Sequence, residues 1–456
     1  MNQGQDPGAM NQGQGQDQGA VNQGQGQARS ALRLAYRARV LVVLAAILVA
    51  LLVAAGHRPA FVLGIVLFVV GILVSVILHE AGHFLTAKKF GMKATQFFVG
   101  FGPTLWSMRR GETEYGVKAL PFGAFVRITG MTTLDEVDPA DEPRSMRNKP
   151  AWQRAIVMVA GSFMHFALAF VLLLILAIGV GRANDNTTTI GSVSPCVPAS
   201  LKAFDQGSCA HNRGAAPAKA AGIKPGDKII AINGKPVHNW TDLGTAIRAQ
   251  SPNQEMAVTV ERDGQQLTLH ATPATVPGRK GSYLGIGDAV IFTRSNPIAA
   301  VAFAGSAFGE VLTGSAEAFA KLPAALPDLF AKDRAKTPAA NVSSMVGAAD
   351  IAGQAVASSG GWRYAVSDLL LILISINIFI GAVNLLPLLP LDGGHLAVIF
   401  YERIRAWLAR LRGKPDPGLV DLQKLIPVSV GVFVLLIGLG VLLMAADIFN
   451  PVHLVQ

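Results

Sequence analysis

Apolar and polar positions divide the chain into runs of two different periods. Five long apolar runs, Val40 to Gly56, Pro59 to Leu78, Ala155 to Gly181, Leu369 to Leu391 and Ile426 to Ala446, are poor enough in charge to cross a bilayer as helices, the first only marginally in length. Between the second and third, Ala94 to Gly130 alternates in short stretches (TQFFVGF, EYGVKAL, FGAFVRITG) broken by Gly102-Pro103, Gly111 and Pro121-Phe122-Gly123, which predicts β-strands beside the membrane. The long polar region Arg182 to Ser367 has a pattern of its own. It predicts a short helix at Ala215 to Gly222, a strand at Asp227 to Ile232, an Asn233-Gly234 turn, a helix at Thr241 to Ala249, and strands at Met256 to Arg262 and Gln265 to Ala271 joined by Asp263-Gly264. Pro297 to Phe330 is helix-like but interrupted by Gly and Pro, and reads as an external helix on or near the membrane surface, not as a span. Met1 to Gln27 repeats an NQGQ unit with almost nothing to bury, the composition of a disordered tail.

Composition strengthens the membrane reading: 51% of the 456 residues are hydrophobic and 15% charged. A net charge of +10 raises nucleic-acid binding as a class, but the cations sit beside the spans. Arg29, Arg33, Arg37 and Arg39 precede the first, Lys88, Lys89 and Lys93 follow the second, and Arg403, Arg405, Arg410 and Arg412 follow the fourth. No nucleic-acid partner is expected; by the positive-inside rule these flanks are cytoplasmic, and five crossings from an internal N terminus return each of them to that side. A basic flank before Val40 to Gly56 also suits a secretory signal, but no small-residue cleavage site stands apart from the run, so a retained span is expected. Cys196 and Cys209 fall in the external region, where an oxidising compartment permits a disulfide between them; two unrelated thiols remain the alternative.

The chemistry lies in ILHEAGHF at the end of the second span. His79 and His83, four apart, lie on one helix face and can grip one Zn²⁺, while Glu80 beside them is placed to act as general base on a water. Two His and a Glu in an apolar span are costly unless they face a cavity, partner or metal. Catalytic zinc takes three protein ligands, and Asp392 in NLLPLLPLDGGH is the expected third, because the second and fourth spans reach the same leaflet. Pro387, Pro390, Gly393 and Gly394 prevent a regular helix around it, a device tolerated at membrane depth where backbone lines a cavity. Asn384 is a candidate donor to a substrate carbonyl or oxyanion, or else an interhelical hydrogen bond. His395 is the weaker ligand candidate by type, and His165, alone in the third span, is expected to pack or hydrogen-bond near the site without binding metal.

HEAGH on one span, NLLPLLPLDGG on a later one, and AAGIKPGDKIIAINGKPV between them resemble the site-2 proteases, specifically the bacterial regulator-of-sigma-factor type with one PDZ domain, from about Phe61 to Pro451. FVGFGPTLWSMRRGETEYGVKALPFGAFVRITGM is similar to that family's membrane-associated β region, which implies a substrate held as an added strand. The family's Gly-Pro-x-x-Asn in the third span reads Gly161-Ser162-Phe163-Met164-His165 here, a departure that puts the usual Asn role in doubt.

The resemblance implies an α-helical polytopic membrane protein with four core spans and an extra N-terminal one, a β region and an extracytoplasmic PDZ-like α+β domain. The expected plan is a cytoplasmic tail at 1–39, an extra span at 40–56, the HEAGH span within 57–93, the β region at 94–130, and a cytoplasmic loop and span at 131–181. A PDZ-like domain at 188–292 follows, with an insertion from Ser194 to Asn212 that departs from a minimal PDZ. A helical linker at 293–367, the second motif's span within 368–400, a basic cytoplasmic segment at 401–425 and a last span and tail at 426–456 complete it. The implied function is a zinc endopeptidase of the bacterial plasma membrane, with one Zn²⁺ per chain at the cytoplasmic leaflet. It would cut single-pass proteins such as anti-sigma factors already trimmed by another protease. A catalytically silent scaffold and a metal transporter are the competing classes; the intact Glu80 argues against the first, and the absence of further ionisable residues along the spans against the second.

Overall fold

The structure, a computed structural model of the chain, describes residues 58–451 apart from 133–134, 185, 206, 333, 335–336, 338, 340–341 and 359–360, together with Val53 and Gly56. The predicted span Val40 to Gly56 lies almost wholly outside the described residues, as does the N-terminal tail. The chain forms two compact units, one of residues 174–303 and one of the remainder.

In the larger unit the first long helix, α1 (Pro59–Lys89), carries HEAGH in its last third and starts on Pro59, where the missing N–H is no loss. A long hairpin follows, β1 (Ala94–Arg110) and β2 (Thr113–Ile128). It doubles back on itself: Gln96 to Val99 lie between Glu114 to Val117 on one side and Ala124 to Arg127 on the other. The stretch 124–128 is therefore an outer edge. Gly100 (φ +86°) sits in this bend, where an added Cβ would stand 2.5 Å from the Leu120 carbonyl oxygen. The hairpin turn is fixed by Glu112, whose carboxyl accepts from Arg144 (2.6 Å) and pairs with Lys88 at the end of α1. Those two cations, Arg144 foremost, hold its pKa down at about 2.

The next helix, α2 (Ala151–Ile175, continued by a π turn over Leu176–Val180), packs antiparallel to α1, with Ala160 against Gly82 and Leu172 near Phe68.

The smaller unit is an α+β body. Its largest sheet has four antiparallel strands, β3 (Lys228–Ile232), β4 (Lys235–Pro236), β5 (Met256–Arg262) and β6 (Gln265–Ala271), arranged β4-β3-β5-β6. Two short pairs, Arg182–Asn184 with Ile291–Thr293 and Ile190–Val193 with Ile286–Asp288, accompany it. The Asn233-Gly234 and Asp263-Gly264 turns predicted from sequence join its hairpins, with positive φ at all four residues. Helix α3 (Trp240–Arg248) is capped by Asn239, whose side chain accepts from the Asp242 N–H, and buries Leu243 and Ile247 in a core with Ile229, Val258 and Val260. Cys196 and Cys209 are joined by a disulfide, with Cα atoms 5.9 Å apart. Arg262 donates to both carboxylate oxygens of the buried Asp227 and holds its pKa below the usual range.

The chain continues into α4 (Pro297–Ala325), then α5 (Met345–Ala357), α6 (Trp362–Asn384), α7 (Asp392–Leu411) and α8 (Ile426–Phe449). Here the sequence expectation needs correcting. Pro297 to Phe330 is not broken by its glycines: one helix runs to Ala325 and tightens to 3₁₀ only after Pro323. By length and composition it is one of five helices able to cross a membrane among the described residues, with Pro59–Lys89, Ala151–Val180, Trp362–Asn384 and Leu422–Phe449. Gly305, Gly309 and Gly314 face open space and bend nothing. α6 runs in the same sense as α1, with Leu373 against Gly71, so both deliver their C-terminal ends to one level. α8 leaves Val428, Val434, Leu435 and Val441 exposed, a surface suited to lipid and not to water. The protein is a polytopic membrane protein.

Candidate active site

α1, α2 and the start of α7 converge on three side chains. His79 Nε2 and His83 Nε2 stand 3.1 Å apart, and each is 3.3 Å from Asp392 Oδ2. Helical spacing places the two imidazoles on one face. Asp392 reaches them because the chain breaks helix at Leu385 and restarts at Asp392. Gly393 and Gly394 allow that turn to fold on itself: a Cβ on Gly393 would lie 2.3 Å from the Leu386 carbonyl oxygen, and one on Gly394 2.5 Å from the Leu389 nitrogen.

His83 donates its Nδ1 proton to the Val157 carbonyl on α2 at 2.7 Å, which leaves Nε2 bare. Two imidazole nitrogens facing each other beside a buried carboxylate oxygen with no hydrogen bond of its own form a cluster of lone pairs, stable only around a cation. Its edges of 3.1, 3.3 and 3.3 Å match the ligand separation of about 3.3 Å that a tetrahedral zinc with bonds of about 2.0–2.1 Å requires. Space for the ion is kept by Gly161, where a Cβ would lie 2.4 Å from His83 Nε2 and 2.7 Å from His79 Nε2. The donor set therefore fits zinc. It is the one group of three or more His, Cys, Asp or Glu among the described residues placed to share an ion.

Glu80, next to His79 on α1, is half-buried, and its Oε2 accepts the Val126 N–H at 2.9 Å. Val126 belongs to the outer edge of the hairpin, so the strand edge and the carboxylate meet. His165 on α2 lies against His79, ring centroids 5.0 Å apart, and its Nδ1 is 2.8 Å from Asn377 Oδ1 on α6. His395 is outside the ligand group; it lines a small cavity with Met158, Ile399 and the Arg154–Glu402 ion pair. Asn384 ends α6, half-buried, one residue before the backbone that rests on Gly393.

Sequence reasoning found the three clustered side chains and Glu80 but not Val126, Gly161, Asn377 or the Val157 carbonyl. Two of these act through backbone and one through having no side chain. The spacing of Val157, Gly161 and His165, four residues each, was the signal that could have marked that face of the third span.

Residues 67–414 match the model of peptidase family M50. Among similar proteins, zinc metalloprotease Rip1 of Mycobacterium tuberculosis is 36% identical over 412 residues, covering 87% of this chain and all of the relative. A putative zinc metalloprotease of Fusobacterium nucleatum is 31% identical over 344 residues, 75% of this chain and 86% of its own length. The regulator of sigma-W protease RasP of Bacillus subtilis is 26% identical over 421 residues, 76% and 91% of the two chains. Zinc is the cofactor these relatives imply, in agreement with the His-His-Asp triangle. The chain belongs to peptidase family M50, the site-2 protease type of zinc metalloprotease.

Proposed function

We propose that the protein is an intramembrane endopeptidase that cuts single-pass membrane proteins in or near their transmembrane segments, with anti-sigma factors as the substrate class. His79, His83 and Asp392 hold one zinc ion, and Glu80 is the general base. The observation that carries this reading is the triangle of bare nitrogens and carboxylate oxygen beside Glu80. RasP is named as a sigma-W regulator, which supports the substrate class.

Zinc at this site supplies the positive charge that acidifies a water and polarises the scissile carbonyl. The protein's own residues do the rest. Val126 engages Glu80 Oε2, so Oε1 takes the proton from the attacking water and returns it to the leaving amine nitrogen. A peptide in a helix shields its amides in hydrogen bonds, and the outer edge of β2 at 124–128 offers a place to pair it as an extended strand next to Glu80. Asn384, with no side-chain hydrogen bond among the described residues, is the donor proposed for the substrate carbonyl.

The proposal puts the site toward the cytoplasmic leaflet of the bacterial plasma membrane and residues 188–292 outside, a reading that the basic flanks support. We read the latter as a PDZ-like domain, supported by its strand and helix order and by a groove between α3 and residues Leu284 to Asp288. Tagged single-pass proteins co-expressed with the enzyme test the proposal. Cleavage mapped by mass spectrometry within or beside the membrane segment supports it, and cutting confined to soluble regions counts against it.

A further inference from the structure

His165 is a buried titratable side chain that the proposed chemistry leaves unused. It stands one turn beyond Gly161 on α2, 2% exposed, in a span where a polar side chain needs a partner. The partner is Asn377, itself fully buried. Asn377 Nδ2 donates to the Leu373 carbonyl at 2.8 Å, which turns its Oδ1 toward His165 Nδ1, also at 2.8 Å. An acceptor there requires the proton on Nδ1 of His165, and its Nε2 is left with a lone pair.

His79 has the complementary need. Its Nε2 must be bare to face an ion, so its proton sits on Nδ1, which is buried and has no partner among the described residues. Metal-binding histidines almost always donate that second N–H to an acceptor, and a buried donor left alone is costly. His83 has its acceptor in the Val157 carbonyl. The other polar ring packed on His79 is that of His165, tilted 44° to it. The two rings pack at 5.0 Å without a hydrogen bond between them, so the inference adds that bond to an existing contact.

We infer that His165 is the positioning residue of His79, fixing its ring by packing and offering Nε2 as acceptor to its Nδ1–H, with Asn377 holding His165 in the required tautomer. This rests on the reading of His79 as a zinc ligand. The chain of fixed orientations runs from the Leu373 carbonyl on α6 through Asn377 and His165 to α1, and transfers no proton.

The test is zinc affinity, measured by chelator competition on purified full-length protein in detergent. His165→Phe keeps a ring but has no nitrogen, and affinity should fall by about 10–100-fold. His165→Gln, which restores an acceptor oxygen, should recover part of the loss, and Asn377→Leu should fall between wild type and the Phe variant. Affinity within about twofold of wild type in His165→Phe overturns the inference, and so does a loss that Gln does not recover, since that is packing alone. Should the Phe variant not fold, unchanged affinity in Asn377→Leu overturns it. His83→Ala and Asp392→Ala are measured alongside. If they lose zinc while His165→Phe does not, this inference fails and the ligand set stands; if they keep it, the ligand set itself fails.

Discussion

Replacing Gly161 by alanine adds one carbon to α2 at the point where the two imidazoles meet. The new Cβ would stand 2.4 Å from His83 Nε2 and 2.7 Å from His79 Nε2. Ordinary contact is about 3.5 Å, so both nitrogens are overlapped by roughly 1 Å. An ion bonded to those nitrogens needs its centre about 2.0–2.1 Å from each, so the methyl and the metal compete for one volume. Relief by sliding α2 outward is limited, because α1 and α2 already touch through backbone: a Cβ on Gly82 would meet the Ala160 carbonyl oxygen at 2.5 Å. Helix propensity favours alanine by about 1 kcal/mol, which offsets part of the overpacking. The zinc-free protein should therefore stay folded while zinc affinity drops by at least ~100-fold, about 2.7 kcal/mol. Gly440→Ala, where nothing lies within 4 Å, is the control and should change neither. Zinc content by mass spectrometry with chelator competition reads the difference. Wild-type affinity in Gly161→Ala would refute the placement of the ion between these nitrogens.

Val126→Pro deletes the N–H that Glu80 Oε2 accepts, at an outer edge where no ladder bond is lost, so cleavage should fall about 10-fold with zinc retained; an unchanged rate would show that this amide does not orient the base. Arg262→Gln removes the cation that depresses the Asp227 pKa. Because the folded value lies below the unfolded one, the pair stabilises above about pH 4 and the benefit disappears as pH falls through the folded value. Hydrogen exchange in the 188–292 region should thus show the variant less stable than wild type at pH 7, with the gap narrowing as pH falls below about 4; a gap that does not narrow in acid would contradict the assignment.

How much of this was legible depends on whether a residue acts through its type or its place. HEAGH and the Pro/Gly-bracketed Asp392 announce themselves, because ionisable groups at the ends of apolar runs are expensive and helical spacing says which share a face. The strands of 94–130 were also readable from alternation, but not that the hairpin doubles back and brings the Val126 amide to Glu80, since register and bulges are tertiary matters. Asn377 lay unnoticed in α6, while Asn384 drew attention by standing next to the prolines. Glycines at Pro297 to Phe330 suggested interruption; in a helix where they face open space they interrupt nothing. The disulfide was left open by spacing alone and is formed in the fold.

The central claim is that Glu80 moves the proton while its two neighbours hold the metal. Glu80→Gln keeps volume and an acceptor for Val126 but cannot take a proton. Purified wild type and Glu80→Gln, compared for zinc per chain and for single-turnover cleavage of a tagged single-pass substrate, test it most directly. The account predicts equal zinc, about one per chain, and cleavage slower by at least ~100-fold in the variant. Cleavage at the wild-type rate with zinc in place would contradict it.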